Sequence, residues 1–576
     1  MLASPLADAA SIRTGKLKSV PHRFEVLAPF TRGDIFQIDS LDAGLKLMDW
    51  WCERGRLDDT QQRRSNSHRR RQKPLVIVGP DGPVAGPHGP LPCVLDLRGD
   101  VPVSVHDLPP PANGLDVAAI SADLAEYVDR DIVIDIAANG VPFHSASPEI
   151  VVAFPNHGSV TCLDGAPKLD AVVADELEKG RYVAFDRPPF FPCRIVPFSA
   201  TPKPDGSTRP ISDHTCPMPI SSNSGGHPDT VRAVVYETVE DLVAGILALR
   251  ASYGPAHIFM LKVDVRQAYR QLSVHATSLW RCVSFWRGRF ILDVRLSFGQ
   301  WSACSAFDQF TRAFQFAWRA AASRHPFLAV DDFDIPDEEQ LAFITAADSE
   351  THAASPRLAA MYEAAVAAAD GARSIGDAMR SIGLLDDHMG AFVGRLNALV
   401  AARIAVRILA RWGLHANMKK LATEGIPARE KTILGIGTST ASFTLYVPHD
   451  RVEHALTWLL PLVDAFDADW DEVKSEVHRL MFFLKAVRRG RLHMSGFMIA
   501  LRASSVGGRR PPGGRVRITQ GMRRNIRWWL EFLGSSSPWN GVSYMVDTSR
   551  VLTGCATDAS DWGFGVYLWG ASTWGE

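Results

Sequence analysis

The 576-residue sequence has no run of about 18 apolar residues, and an apolar stretch such as "ALVAARIAVRILA" is interrupted by two arginines. No membrane-spanning helix is therefore expected. The N-terminus also lacks a charged-then-apolar signal pattern, so the expectation is a soluble intracellular protein of the cytoplasm or nucleus, with no membrane partner. Cysteine is sparse: eight residues, at 52, 93, 162, 193, 216, 282, 304 and 555, with no Cys-x-x-Cys pair. That spacing supports neither a disulfide framework nor a zinc knuckle. Net charge is nearly absent, at -1, so there is no global electrostatic signature of a nucleic-acid partner.

Charge is nonetheless unevenly placed. From Val477 to Leu530 there are thirteen Lys or Arg and no Asp or Glu, among them Lys485, Arg488, Arg489, Arg491, Arg509, Arg510, Arg515 and Arg517. Such a stretch suits a phosphate backbone, and the competing reading is a solvated basic face. A second basic cluster, "RRSNSHRRRQK" at 63–73, is flanked by polar residues and reads as a linker within an N-terminal region, 1–150, to which no chemistry is assigned. The length alone implies several domains.

Beyond about residue 168 the texture becomes regular. "LDAVVADELEKG" has helical spacing with a glycine stop, and "PCRIVPFSATPKPDGSTRPISD" predicts two strands joined at Pro-Asp-Gly. Lys203 and Arg209 lie beside that turn, where long cationic side chains can reach a phosphate. "HIFMLKVDV" predicts a buried strand ending in Asp264, and "LWRCVSFWRGRFILDVRLSFG" a hairpin around Arg287-Gly288. Trp301, Cys304, Phe307, Phe310 and Phe314 recur at helical steps, a stripe expected to be core. Leu396, Val400, Ile404 and Ile408 form another such stripe beside Arg403, Arg407 and Arg411, with Gly413 as the stop.

Two Asp-Asp pairs stand out: "LLDDHMG", with Asp386 and Asp387, and "AVDDFDIP", with Asp331 and Asp332. Either alone is an ordinary solvated turn. With Asp264, one pair could place three carboxylates at the edge of one sheet, where mutual repulsion demands a cation. Two Mg²⁺ ions about 3.5–4 Å apart would meet that demand in an in-line phosphoryl displacement. "HMGAFV" can turn and return as a strand, whereas "FDIPDEEQ" meets Pro336 and a run of acids, so Asp386/Asp387 are preferred.

Order now adds to chemistry. "SATPKPDGSTRPISDHT", "LKVDVRQAYRQLSV", "FILDVRLSFGQWSACSAF", "LLDDHMGAF" and "GLHANMKKLATEGIPAREKTILGI" together resemble, block after block over roughly 168–450, the reverse transcriptases of retroelements. "MRRNIRWWLEFL...WNG" resembles the connection of DIRS-type and related elements, and "CATDASDWGFGVYLWGASTWGE" the first strands of a ribonuclease H domain. The resemblance implies an α/β (α+β) right-hand polymerase: fingers and palm over 151–448 with an insertion at about 320–380, thumb over 449–510, connection over 511–548 and an incomplete ribonuclease H start over 549–576. Its implied activity is RNA-directed DNA synthesis with two Mg²⁺ ions, a deoxynucleoside triphosphate and an RNA or DNA template-primer as partners.

Carried onto this chain, the resemblance makes Asp264, Asp386 and Asp387 metal ligands, with the Val265 carbonyl beside them. Tyr269 becomes the ring that excludes a 2′-hydroxyl; Lys203, Arg209 and Asp213 the fingers residues near the triphosphate; Phe298 and Gly299 the pair beside the nascent base pair. Lys420 becomes the general acid for pyrophosphate, and Asp558 the first ribonuclease H aspartate, without its partner acids before Glu576. Three features depart from the pattern: Leu384-Leu385 before the Asp pair, no proline near Cys304, and about 50 extra residues between Gly299 and Asp386. A second reading is a noncatalytic nucleic-acid-binding relic of the same fold.

Overall fold

The computed structural model describes residues 34–37, 45–49, 51–53, 75–78, 93–94, 103–104, 114–145, 151–191, 193–202, 208–216, 221–224, 226, 228–505, 511, 513–535, 540–544 and the strands 555–559, 564–568 and 571–575. The linker 63–73, Lys203, Arg509, Arg510 and the side chain of Asp558 lie outside that description. The architecture is mixed α and β. Among the described residues no helix is long and apolar enough to cross a membrane.

At its centre is a three-stranded antiparallel sheet. The strand Ile258–Asp264 pairs with Asp387–Val393, which pairs in turn with Met379–Leu384. The run Ile258-Phe259-Met260-Leu261 is continuously apolar because both faces of the strand are covered. Alternation then divides its side chains between two cores. Phe259, Leu261 and Val263 pack with the helices Ala303–Ala322 and Arg395–Arg411. Ile258 and Met260 pack with the helix Val239–Tyr253 and the C-terminal helices. The second face continues along the same strand to Lys262 and Asp264, so the strand's polar end emerges on the C-terminal side.

A larger seven-stranded sheet contains Tyr182–Phe185, Arg194–Ile195, Val283–Trp286 and Arg289–Asp293. The last two form the hairpin expected around Arg287-Gly288, whose φ values of 50° and 77° provide the left-handed turn that a two-residue connection needs. Phe198–Pro202 and Thr208–Ser212 pair antiparallel, as the Pro-Asp-Gly signal predicts. The helix Gly165–Glu178 ends near Gly180, which has a φ of 64°.

Between the helix Ala303–Ala322 and the strand Met379–Leu384, the helices Asp337–Thr345, Thr351–Ala354 and Pro356–Ala368 form a separate layer. Asp337–Thr345 packs on Arg395–Arg411. The arginine stripe of that helix is a docking face: Arg403 donates to the Phe343 carbonyl at 2.8 Å, Arg403 and Arg407 pair with Asp348, and Arg411 pairs with Asp123.

The helices His449–Leu462, Trp470–Phe483, Ser495–Ser504 and Gln520–Leu533 share one core through Leu459, Val473, Leu480, Phe497, Ile526 and Trp529. The boundary expected at 510/511 between thumb and connection falls inside this bundle.

Candidate active site

Asp264 and Asp387 are direct partners across the two central strands. Asp386 lies in the two-residue turn between Leu384 and Asp387, and its carbonyl accepts the Val265 N–H at 2.9 Å. One sheet edge thus gathers all three aspartates. Leu385, the other turn residue, sits at φ 52°, a conformation costly for a side chain with a Cβ. The helix Ala303–Ala322 holds that turn: Thr311 Oγ1 donates to the Leu385 carbonyl at 2.6 Å, and Gln315 Nε2 to the Ile382 carbonyl at 3.1 Å. On the other strand edge, Glu237 accepts the Gly383 N–H at 2.6 Å.

Two lysines meet the carboxylates. Lys420 Nζ lies 2.5 Å from Asp264 Oδ2, and Asn417 Nδ2 donates to Asp264 Oδ1 at 2.9 Å. Asn417 is also the N-cap of the helix Met418–Glu424, which carries Lys420. Lys262 lies 3.4 Å from Asp387 Oδ1 and 2.8 Å from Glu424 Oε2. Neither contact has hydrogen-bond geometry, so Asp387 Oδ1 and Glu424 Oε2 are buried with an ion pair but no hydrogen bond.

Three carboxylates, Asp264, Asp386 and Asp387, therefore face two ammonium groups, while Glu424 has both Lys262 and Lys431 beside it. Burial is the main cause that raises both carboxyls of the Asp-Asp pair. Burial, then the neighbouring Asp387 and Asp264, raises the Asp386 carboxyl above its ordinary range, and burial raises Asp387 despite Lys262 and Lys420. Burial opposes the charge on Lys420, but its hydrogen bond and attraction to Asp264 prevail and raise it. These carboxylates are of the type a hard divalent cation takes, but the ligand oxygens of Asp264, Asp386 and Asp387 do not all lie within 4.8 Å of one another, so a bound ion would have to draw them together.

Tyr269 follows the central strand in the turn Ala268–Gln271. Its ring stands edge-on to Phe298 and Phe307, with centroids at 5.3 and 5.8 Å, and its hydroxyl meets Cys304 Sγ at 3.1 Å. Burial, Cys304 and then Asp386 raise its phenol above the ordinary range. Arg209 is exposed and places its guanidinium 4.8 Å from the Phe298 ring centre. Gly299 lies so close to the preceding hairpin that a Cβ there would come within 2.2 Å of the Ser212 carbonyl, and its φ of 121° adds a second reason for glycine.

Not every expected residue joins this cluster. Asp213 instead meets His157 Nε2 at 2.9 Å and receives the Thr215 N–H at 3.0 Å. The hydrogen bond from His157 pulls its carboxyl down to about 2, while burial and the Asp213 charge push the Cys216 thiol up to about 12. Asp331 and Asp332 lie at the opposite end of the strand. Asp331 Oδ1 accepts the His257 N–H at 3.0 Å, and Asp332 pairs with Arg395 at 2.7 Å. The strand Ile258–Asp264 separates that end from the aspartate cluster by about 20 Å, at roughly 3.3 Å per residue.

In the basic stretch, Arg488, Arg489 and Arg491 are exposed on the turn Arg488–His493 and have no ion pair among the described residues. Lys485 pairs with Glu240 at 2.6 Å, Arg515 pairs with Asp467, and Arg517 covers the Phe466 ring at 5.1 Å. Sequence reasoning missed Lys262, Asn417 and Glu424 as neighbours of the aspartates. Strand alternation could have found Lys262, two residues before Asp264 on the same face.

Among solved structures the chain is similar to foamy viral enzymes. A foamy viral protease-reverse transcriptase in complex with double-stranded DNA is 13% identical, with a TM-score of 0.42 over 76% of this chain and 59% of that one. A second such complex with double-stranded DNA is 12% identical, with a TM-score of 0.41 over 81% and 82% of the two chains. One with an RNA/DNA hybrid is 12% identical, with a TM-score of 0.41 over 87% and 56%. This chain thus spans less than two thirds of the first and third. No protein-family profile and no curated protein matches the sequence.

Proposed function

We propose that this chain is an RNA-directed DNA polymerase of retroelement type, joining a deoxynucleotide to a primer 3′-hydroxyl. The observation that carries the reading is the meeting of Asp264, Asp386 and Asp387 at one sheet edge, with more negative charge than Lys262 and Lys420 neutralise.

Asp264, Asp386 and Asp387, with the Val265 carbonyl beside them, would hold Mg²⁺. When bound, Mg²⁺ would supply the counter-charge and lower the barrier to attack at the α-phosphate. Lys420, kept protonated by Asp264, is a proton donor for the leaving pyrophosphate once the carboxylate is otherwise engaged. Tyr269, braced by Phe298 and Phe307, supplies a rigid wall against a 2′-hydroxyl. Arg209 beside Phe298 offers a cation to the triphosphate, and Arg488, Arg489 and Arg491 offer cations to a nucleic-acid backbone.

One observation favours the noncatalytic nucleic-acid-binding alternative: Lys420 and Lys262 already contact carboxylates that a cation would need. Primer extension on poly(rA)/oligo(dT) separates the two. Magnesium-dependent incorporation is expected; template-primer binding without incorporation would favour the alternative.

A further inference from the structure

Among the described residues one group of His, Cys, Asp and Glu side chains has metal-ligand spacing, and it does not include the three aspartates. His157, Asp213 and Cys216 each present one donor atom, and the three lie within 4.8 Å of one another. The donors come from two separate segments. Asp213 and Cys216 stand at the first and fourth positions of a tight turn, closed by the Cys216 N–H donating to the Asp213 carbonyl at 3.2 Å. This two-residue spacing lets one turn present two ligands to the same side. His157 enters from outside, anchored by its own N–H on the Phe198 carbonyl at 2.9 Å.

The surroundings fix the donors. Asp213 Oδ1 is occupied by the Thr215 N–H at 3.0 Å, which leaves Oδ2, on the His157 side, to serve as ligand. The Asp213 N–H donates to the Pro197 carbonyl at 2.9 Å, tying the turn to the first strand of its hairpin. All three side chains are half-buried, enclosed yet reachable by an ion. One soft sulfur, one imidazole and one carboxylate suit a borderline ion of zinc type, and a thiolate ligand disfavours Mg²⁺.

We propose that His157 Nε2, the Asp213 carboxylate and Cys216 Sγ form a binding site for a divalent cation of the zinc class, distinct from the Asp264 cluster. Such an ion would lock the turn after the Phe198–Pro202/Thr208–Ser212 hairpin. That turn is already connected to the neighbouring loop: Asn223 Nδ2 donates to Thr215 Oγ1 at 3.2 Å and to the Gly299 carbonyl at 2.7 Å, and Asn223 Oδ1 accepts the Trp301 N–H at 3.1 Å. The ion would therefore stiffen the platform on which Arg209 and Phe298 meet. Under this assignment Asp213 is a metal ligand, not a nucleotide contact.

The test is cobalt(II) titration of the full chain, read by its ligand-field bands and its thiolate-to-cobalt charge-transfer band. One equivalent with a thiolate band is expected. Cys216→Ser should abolish that band, His157→Gln, which removes a direct ligand, should weaken binding at least as much as the roughly 10–100-fold lost when a group that only supports a ligand is removed, and Cys162→Ser should change neither. Excess Mg²⁺ should not displace the cobalt. A wild-type titration without a thiolate band, unchanged affinity in His157→Gln, or displacement by Mg²⁺ would each overturn the site. Zinc-edge X-ray absorption on the wild-type chain decides the matter even if a variant misfolds. One sulfur at about 2.3 Å with lighter ligands at about 2.0–2.2 Å is expected, and a shell without sulfur contradicts the proposal. None of these readouts requires polymerase activity, so the metal site and the polymerase reading can fail separately.

Discussion

Arg270, next to Tyr269 in the turn Ala268–Gln271, offers a demanding test of how the site is held. Its Nη1 donates to both carboxylate oxygens of Asp293, at 2.8 and 2.7 Å, and its Nη2 to Glu176 Oε2 at 2.5 Å. The three side chains are only 9%, 7% and 8% exposed. Replacing Arg270 with Met keeps much of the volume but leaves buried Asp293 with no cation partner and Glu176 with only Arg181, at 3.4 Å. Removing one partner of a buried ion pair costs about 3–5 kcal/mol, chiefly because the remaining charge is uncompensated. For a domain of ordinary size this corresponds to a fall in Tm of roughly 6 °C or more.

The pH dependence has a definite sign. Burial already holds Asp293 above the ordinary carboxylate range despite Arg270. Without the guanidinium its ionised form is less favourable still. The deficit of Arg270→Met should therefore be smallest at pH values below the unfolded carboxylate range, and grow as pH rises through the raised folded value. Calorimetric scans of the wild type and variant across pH provide the assay. The triple variant with Glu176→Gln and Asp293→Asn should recover most of the loss. A single variant within about 0.5 kcal/mol of the wild type at neutral pH would refute the reasoning.

Tyr269→Ala should admit ribonucleotides by opening the space beside Phe298 and Phe307; unchanged discrimination in an active variant would remove Tyr269 from the role of gate. Neutralising Arg488, Arg489 and Arg491 should reduce the slope of log K against log salt by about 2–3, at roughly 0.7–0.9 per lost phosphate contact. Neutralising Lys485 and Arg515, which already pair with Glu240 and Asp467, should reduce it by less, and equal effects would show that these pairs open on binding.

The legible parts of the sequence were those with a strict local period. The strand ending at Asp264 declared itself by continuous apolar residues, and the Arg287-Gly288 hairpin by its turn. The helix Ala303–Ala322 was visible in its aromatic spacing, and its Phe307, Phe310 and Phe314 are buried as expected. What sequence could not supply was the partner across space. The stretch Val477–Leu530 contains no acid, yet acids from Glu240 and Asp467 reach into it. Asp213 reads as a neighbour of Arg209, but the turn that follows the hairpin brings it to His157 and Cys216. Lys262 has no assigned role in the sequence pattern, and it is the pairing of the two strands that places it beside Asp387. The stripe of Arg403, Arg407 and Arg411 is visible in the sequence, but its partners are not: Asp348 and the Phe343 carbonyl, in the layer of helices before it, bind Arg403, and Asp348 also binds Arg407.

The central claim is that Asp386, not Asp331, belongs to the reacting centre, and paired substitutions test it most directly. Primer extension with Mg²⁺ and dNTPs should be compared for the wild type, Asp386→Asn and Asp331→Asn, with template-primer affinity measured in parallel. Asp386→Asn should lose incorporation by at least about 1,000-fold while retaining binding, because the lost interaction belongs to the transition state. Asp331→Asn, whose side chain caps the far end of the strand at His257, should incorporate nearly as well as the wild type. Full incorporation by Asp386→Asn, or its loss in Asp331→Asn with the fold intact, would contradict the account.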